Sequence, residues 1–97
     1  YADDCAKAIV MATERYNSSE PVNIGTGQEM PIKNLAEKIA ECIGYSGKIV
    51  WDRTKPDGQP RRCLDVTRAK EQFGFEATTS FDDGIKRTVD WYINNNL

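Results

Sequence analysis

A loop near the middle of the chain concentrates positive charge. The run KPDGQPRRCLD, residues 55–65, places Lys55, Arg61 and Arg62 around two prolines and a glycine. Over residues 52–62, four basic side chains stand against two carboxylates, a local net charge of +2 in a chain whose formal net charge is −2. Guanidinium groups can bind two phosphate oxygens at once, and a Pro/Gly-framed loop holds them at a lower ordering cost. Lys55, Arg61 and Arg62 are therefore candidate ligands for a phosphorylated anion.

A surface role is the alternative for the same cations. The two arginines could pair with Asp52, Asp57 or Asp65, which lie close to them in the sequence. An exposed ion pair of this kind contributes only about 0–1 kcal/mol. Residue types alone favour this surface pairing over ligand binding.

The other reactive residue types form no catalytic pattern. The three cysteines are far apart and the chain contains no histidine, so we predict reduced, structural thiols and no metal site. Asp3 and Asp4 are adjacent at the start of a predicted helix, where one carboxylate is expected to act as the N-cap. Both are therefore assigned structural roles, and Asp65 is expected to cap a helix or end a strand.

The glycine pair in NIGTG raises the question of a cofactor loop. Gly25 and Gly27 follow a short apolar run, but the third glycine of a dinucleotide fingerprint is missing. The next helix is expected to open near Pro31, too late for its first amides to meet a phosphate held by the glycines. We predict a turn at this point rather than a cofactor loop.

Hydrophobic spacing predicts four helices and two short strands. The helices are expected at the start of the chain with Asp3 or Asp4 as cap, from Pro31 to Gly44, from Asp65 or Thr67 to Gly74, and after the cap Ser80, and the strands at 22–24 and 48–51. Few short strands with three to four helices make a thin α/β sheet whose edges need covering. We therefore expect a further part of a larger protein to complete the fold.

Composition limits the classes of partner. Ninety-seven residues suit one domain with a modest core, and a pI near 5.1 provides no overall attraction to nucleic acid or to an anionic membrane surface. No apolar run reaches the length of a membrane span and no secretory leader is visible, so the cytoplasm is predicted.

Three motifs together resemble a known family. NIGTG at 23–27, KPDGQPRRCLDVTRAKEQFGF at 55–75 and DWY at 90–92 are similar to the C-terminal portion of the extended short-chain dehydrogenases that act on nucleotide sugars. The resemblance covers nearly the whole chain. NIGTG is common to the superfamily and supports only the fold. The narrower KPDGxPR followed by LDVTR is most similar to members that epimerise and reduce a GDP-sugar.

The resemblance implies a substrate-binding part of a larger enzyme. Residues 1–97 would be its C-terminal nucleotide-sugar-binding domain, with NADP and the catalytic groups held by an N-terminal Rossmann domain absent from this sequence. Such enzymes are expected to be homodimers. The catalytic Tyr-x-x-x-Lys pair is missing, because the four tyrosines are followed at the fourth position by Cys5, Glu20, Ile49 and Asn96. No catalytic, cofactor-binding or metal-binding residue is therefore assigned, and the chain alone is predicted to be inactive.

The family's diphosphate contact falls on Arg62, with Lys55 and Arg61 as further candidates. Two other interpretations stay open. One is an epimerase or dehydratase of the same family that uses a different nucleotide. The other is a non-catalytic domain that binds an anionic ligand or another protein through the basic loop.

Overall fold

The computed structural model describes residues 1–96, and four helices account for its regular structure. They are α1 (Ala2–Arg15), α2 (Ile32–Ile43), α3 (Thr67–Phe73) and α4 (Phe81–Asn96). All four were predicted, and their order is confirmed. The C-caps also agree, since Gly44 and Gly74 adopt left-handed φ values of 71° and 73°, which a glycine adopts without steric cost.

The small core forms where α3 packs on α1. Ala8 of α1 and Ala69 of α3 are both 0% exposed, and Phe73 and Phe75 are buried beside them. The Phe73 ring lies 5.7 Å from the ring of Tyr16. The two phenylalanines therefore pack on either side of Gly74, as the sequence predicted.

A second helix pair, α2 with α4, carries the rest of the structure. Ser80 caps α4 by accepting a hydrogen bond of 3.1 Å from the amide of Asp83, which confirms the predicted cap. Gly84 is buried, and a Cβ at this position would lie only 3.4 Å from the Cβ of Tyr1. This close approach brings the start of α1 against α4 and joins the two helix pairs.

The predicted cap of α1 is wrong. Tyr1 occupies the N-cap position, and Asp4 lies inside the helix with only 4% of its surface exposed. Its carboxylate accepts hydrogen bonds from the amide of Thr79 at 3.1 Å and the hydroxyl of Thr78 at 3.5 Å. Burial alone would raise the pKa of Asp4, but the hydrogen bonds from Thr79 lower it below the usual value. Asp4 thus ties α1 to the segment that precedes α4.

The adjacent carboxylate points elsewhere. Asp3 pairs with Arg87 of α4 at 3.2 Å, so the two neighbouring carboxylates do not share a site. Each carboxylate therefore has a structural contact of its own.

The two predicted strands are not formed within residues 1–96. The segments at 22–24 and 48–51 have no regular secondary structure. A strand requires a second backbone at about 4.7–4.9 Å with which to exchange hydrogen bonds, and neither segment finds one in the described chain. The first segment is held by side chains instead, with Asn23 donating to the carbonyl of Asp65 at 3.3 Å and Arg68 donating to the carbonyl of Pro21. The α/β prediction is therefore confirmed only in its helical part.

Several large apolar side chains of the helices and loops are exposed. Ile9 is 60% exposed and Tyr92 is 55% exposed, although both belong to the apolar stripes of their helices. Other exposed apolar residues are Val10, Ile32, Ile43, Val50, Trp91 and Ile93. The structure measures only 19 Å along its shortest axis, so helices that pack in pairs leave their outer faces without a partner.

The cysteines only partly match their predicted role. All three are free thiols, but Cys5 and Cys63 are exposed rather than buried. Among residues 1–96, no helix combines the length and apolar character that crossing a bilayer requires.

Candidate anion-binding site

The basic loop lies against the start of α2. Residues 59–62 and residues 29–32 face each other across a cleft of about 440 Å³. Two of the three predicted site residues, Arg61 and Arg62, line this cleft, whereas Lys55 does not. The structure therefore brings the arginines together and leaves Lys55 outside.

Arg61 is engaged by a carboxylate that the sequence did not indicate. Its Nε donates to Oε1 of Glu29 at 3.0 Å, and its Nη2 donates to Oε2 at 2.5 Å, so the contact is bidentate. The hydrogen bonds that Arg61 donates to Glu29 raise the pKa of the Arg61 guanidinium above its ordinary value. Glu29 lies 32 residues upstream of Arg61 in a polar loop, and no local pattern links the two residues.

The three aspartates that the sequence suggests as partners of the arginines make no ion pair with them within residues 1–96. Asp52 accepts hydrogen bonds of 2.9 and 2.6 Å from the amide and hydroxyl of Thr54, and Asp65 accepts one of 3.0 Å from the amide of Thr67. These hydrogen bonds lower the pKa of both aspartates. Val66 is the N-cap residue of α3 and no side chain caps this helix, so the predicted capping by Asp65 or Thr67 is wrong; Asp65 lies one residue before the cap.

Arg62 differs from its neighbour. It lines the same cleft and is exposed, but within residues 1–96 it makes no ion pair and no side-chain hydrogen bond. A guanidinium group carries five N–H donors, and those of Arg62 are available to a ligand. The surface-pairing alternative therefore describes Arg61, with a different partner, and does not describe Arg62.

The first turn of α2 adds positive potential to the cleft. Pro31 is the N-cap residue, no side chain caps the helix, and its first turn contains no acidic residue. Unsatisfied amides and the helix dipole give a helix N-terminus a partial positive charge. Pro31 and Ile32 both line the cleft beside Arg62. The sequence predicts the start of α2 correctly. It does not indicate that this helix start lies beside the basic loop, because the two segments are about thirty residues apart in the chain.

A larger cleft of about 700 Å³ lies between the glycine loop and α3, and its charge does not suit an anion. Its one basic lining residue, Lys70, is paired with Glu76 at 3.0 Å, and Glu71 adds a further negative charge.

The glycines of this loop have a packing role. Gly27 has a φ of +74°, and a Cβ there would come within 3.2 Å of the Cγ2 of Val66. The chain bends at both Gly25 and Gly27, in line with the predicted turn. Val66 packs against the loop at Gly27, and this contact accounts for a glycine at that position.

Known proteins match this chain over nearly all of its length. It is 44% identical over 95 residues to GDP-L-fucose synthase 1 of Arabidopsis thaliana and 43% identical over 104 residues to GDP-L-fucose synthase of Escherichia coli K12, each time over 98% of the chain. It is also 32% identical over 95 residues, 97% of the chain, to GDP-L-colitose synthase of Yersinia pseudotuberculosis. The chain spans only 29%, 32% and 30% of the lengths of these relatives, respectively. No protein-family model matches the sequence.

Proposed function

We propose that this chain, which belongs to the extended short-chain dehydrogenase/reductase family and corresponds to its C-terminal portion, is the substrate-binding part of a GDP-L-fucose synthase. The complete protein would convert GDP-4-keto-6-deoxymannose to GDP-L-fucose by epimerisation and reduction. Relatives of that name at 44% and 43% identity support this choice. The same relatives support an enzyme that uses a nicotinamide cofactor, which we take to be NADP.

One observation carries the proposal: Arg62 has no partner within residues 1–96 and shares a cleft with the uncapped start of α2. A nucleotide diphosphate presents charged oxygens that a guanidinium group can grip in pairs. The helix amides offer a second set of donors to the same anion. Arg62 would bind the diphosphate and thereby orient the sugar toward the catalytic groups.

The catalytic groups and NADP are assigned to the N-terminal Rossmann domain. The glycine pair at Gly25 and Gly27 lacks the third glycine of a dinucleotide fingerprint, which supports placing the cofactor outside this chain. NADP supplies the hydride for the reduction. The role of this chain is to bind and orient the sugar nucleotide.

The exposed apolar side chains support docking onto that domain. Val50 is 76% exposed and Trp91 is 62% exposed, and further large apolar side chains of α1, α2 and α4 are exposed with them, as expected where a second domain covers them. The segments at 22–24 and 48–51 would form strands only when strands of the other domain supply the missing backbone partners. A free-standing, non-catalytic anion-binding domain explains neither feature.

The test is replacement of Arg62 by Ala in the complete enzyme. Loss of a charge-assisted contact worth about 1.5–3 kcal/mol should raise the KM for the GDP-sugar about 10- to 150-fold. The value of kcat should change little, because the contact is made in both ground and transition states. Arg53→Ala is the matched control, since Arg53 belongs to the same exposed loop but does not line the cleft. An unchanged KM for Arg62→Ala would refute the diphosphate role.

The nucleotide is tested separately. Competition by GDP, UDP and dTDP against the substrate should rank GDP first. If UDP or dTDP competes better, the chain belongs to a different nucleotide-sugar epimerase or dehydratase, and the diphosphate site at Arg62 is unaffected by that result.

A further inference from the structure

Glu29 is a carboxylate in a cleft that is otherwise suited to an anion. It lines the same space as Arg62 and the start of α2, and 38% of its side chain is exposed. A negative charge at this position opposes the binding of a diphosphate through simple Coulomb repulsion. Its presence therefore needs a reason other than surface solvation.

The contact between Glu29 and Arg61 is the main polar tie of the basic loop. Over residues 53–62, the two hydrogen bonds of this pair are the only ones that reach a distant part of the described chain. The other side-chain contacts of the loop are local, from Thr54 to Asp52. The loop has no regular secondary structure to hold it in place.

Building on the proposed function, we propose that Glu29 is a positioning residue: its bidentate pair with Arg61 fastens the basic loop to the start of α2 and directs Arg62 at the diphosphate. Arg61 is then a structural tie rather than a second ligand. Arg61 and Arg62 are adjacent in the loop and line the same cleft, so a tie at Arg61 restricts the backbone from which the Arg62 side chain projects.

The direction in which one substitution changes the KM distinguishes this proposal from a purely electrostatic role of Glu29. If Arg61 were a ligand restrained by Glu29, Glu29→Gln would release it and remove a negative charge, and the KM for the GDP-sugar would fall. If Glu29 fastens the loop, the same substitution frees the loop and the KM rises. Glutamine has nearly the same size as glutamate, but it lacks the negative charge and one of the two acceptor oxygens.

The experiment uses the complete enzyme with GDP-4-keto-6-deoxymannose. We expect Glu29→Gln and Arg61→Gln each to raise the KM about two- to fivefold, the range set by an exposed ion pair, with little change in kcat. The KM of the double variant should be no higher than that of either single variant, because both substitutions remove the same interaction. The reversed pair, Glu29→Arg with Arg61→Glu, should recover part of the loss. Glu14→Gln, an exposed glutamate on α1, serves as control.

A second readout is independent of the substrate. Trypsin must take the Arg61 side chain into its own binding pocket to cleave after that residue, so the pair with Glu29 should slow this cleavage. Glu29→Gln should speed cleavage after Arg61 severalfold, while cleavage after Lys48, which is exposed and lies outside residues 53–62, stays unchanged as an internal reference.

Each outcome decides the proposal. A KM that falls or stays constant in Glu29→Gln overturns it, and so does an unchanged rate of cleavage after Arg61. If Arg62→Ala leaves the KM unchanged, the diphosphate site fails and the positioning role fails with it. Faster cleavage in Glu29→Gln would in that case show that the pair only fastens the loop. A raised KM together with faster cleavage supports the proposal.

Discussion

At the scale of single residues, chemically identical side chains acquire different roles from their partners. Arg61 and Arg62 are adjacent, but one is held by Glu29 and the other has no partner among the described residues. Asp3 and Asp4 are adjacent as well, and one pairs with Arg87 on the surface while the other is buried against Thr79. In both pairs the neighbouring element, rather than the residue type, decides the role.

The buried carboxylate leads to a pH prediction. Because its hydrogen bonds lower the pKa of Asp4 below 3.8, the folded state binds this proton less readily than the unfolded state does. The stabilisation by the Asp4 carboxylate is therefore complete at pH values above the ordinary pKa of an aspartate. It is lost as the pH falls from that value through the lowered pKa of the folded state. We expect Asp4→Asn to lower the Tm of the complete protein by several degrees at neutral pH, and the difference from wild type to shrink as the pH falls toward about 3.

Asp57→Asn is the control for this experiment. Asp57 is exposed and makes no ion pair within residues 1–96, so its replacement should leave the Tm unchanged at every pH. A difference between wild type and Asp4→Asn that does not depend on pH would contradict the role assigned to Asp4.

At the scale of elements, glycines end two helices and allow one close loop contact. Gly44 and Gly27 have nearly the same φ, 71° and 74°, but differ in their surroundings. A Cβ at Gly44 would meet nothing within 4 Å, whereas at Gly27 it would lie 3.2 Å from Val66. The pair thus separates the cost of backbone conformation from the cost of crowding.

Replacing each of these glycines by alanine measures the two costs. Gly44→Ala should destabilise the protein by about 1 kcal/mol, from the left-handed conformation alone. Gly27→Ala should lose about 1–3 kcal/mol more, because the loop must move away from Val66. Denaturant unfolding of the two variants provides the comparison, and equal losses would show that the contact with Val66 does not constrain the loop.

At the scale of the whole molecule, the chain buries little apolar surface. The buried apolar residues of the described chain are Ala8, Ala69, Phe73 and Phe75, and two of these four are alanines. Large apolar side chains on α1, α2 and α4 remain exposed. Burial of apolar surface is the main stabilising contribution to folding, so this core is small for the number of residues that it must order.

Expression of the chain by itself tests whether this small core is sufficient for folding. Expressed alone, residues 1–97 should self-associate or unfold without a cooperative transition, and GDP should bind only weakly. Sedimentation and thermal denaturation by circular dichroism measure this directly. A monomer with a sharp unfolding transition would contradict the proposed docking surface and would favour a free-standing domain. Phe73→Ala, which should cost about 3–5 kcal/mol in a folded core, distinguishes such a native monomer from a loosely collapsed one.

Local features of the sequence were enough to predict the helices. The apolar spacing of α2, the glycines after α2 and α3, and the Ser80 cap each depend on residues within a few positions of one another. Short-range sterics and hydrogen bonds act in the same way wherever the segment lies, and for this reason these predictions were correct.

The tertiary structure alone decided the features that depend on distant partners. The segments at 22–24 and 48–51 have strand-like composition but no second backbone, so the described chain contains no sheet. The tie between Glu29 and Arg61 crosses 32 residues, and the cleft forms only because the basic loop lies on the start of α2. The sequence by itself therefore determined the order of the four helices, the glycines that end α2 and α3, and which loop carries the positive charge. Which of the two arginines pairs with a carboxylate among the described residues depends on contacts between segments that no local pattern encodes.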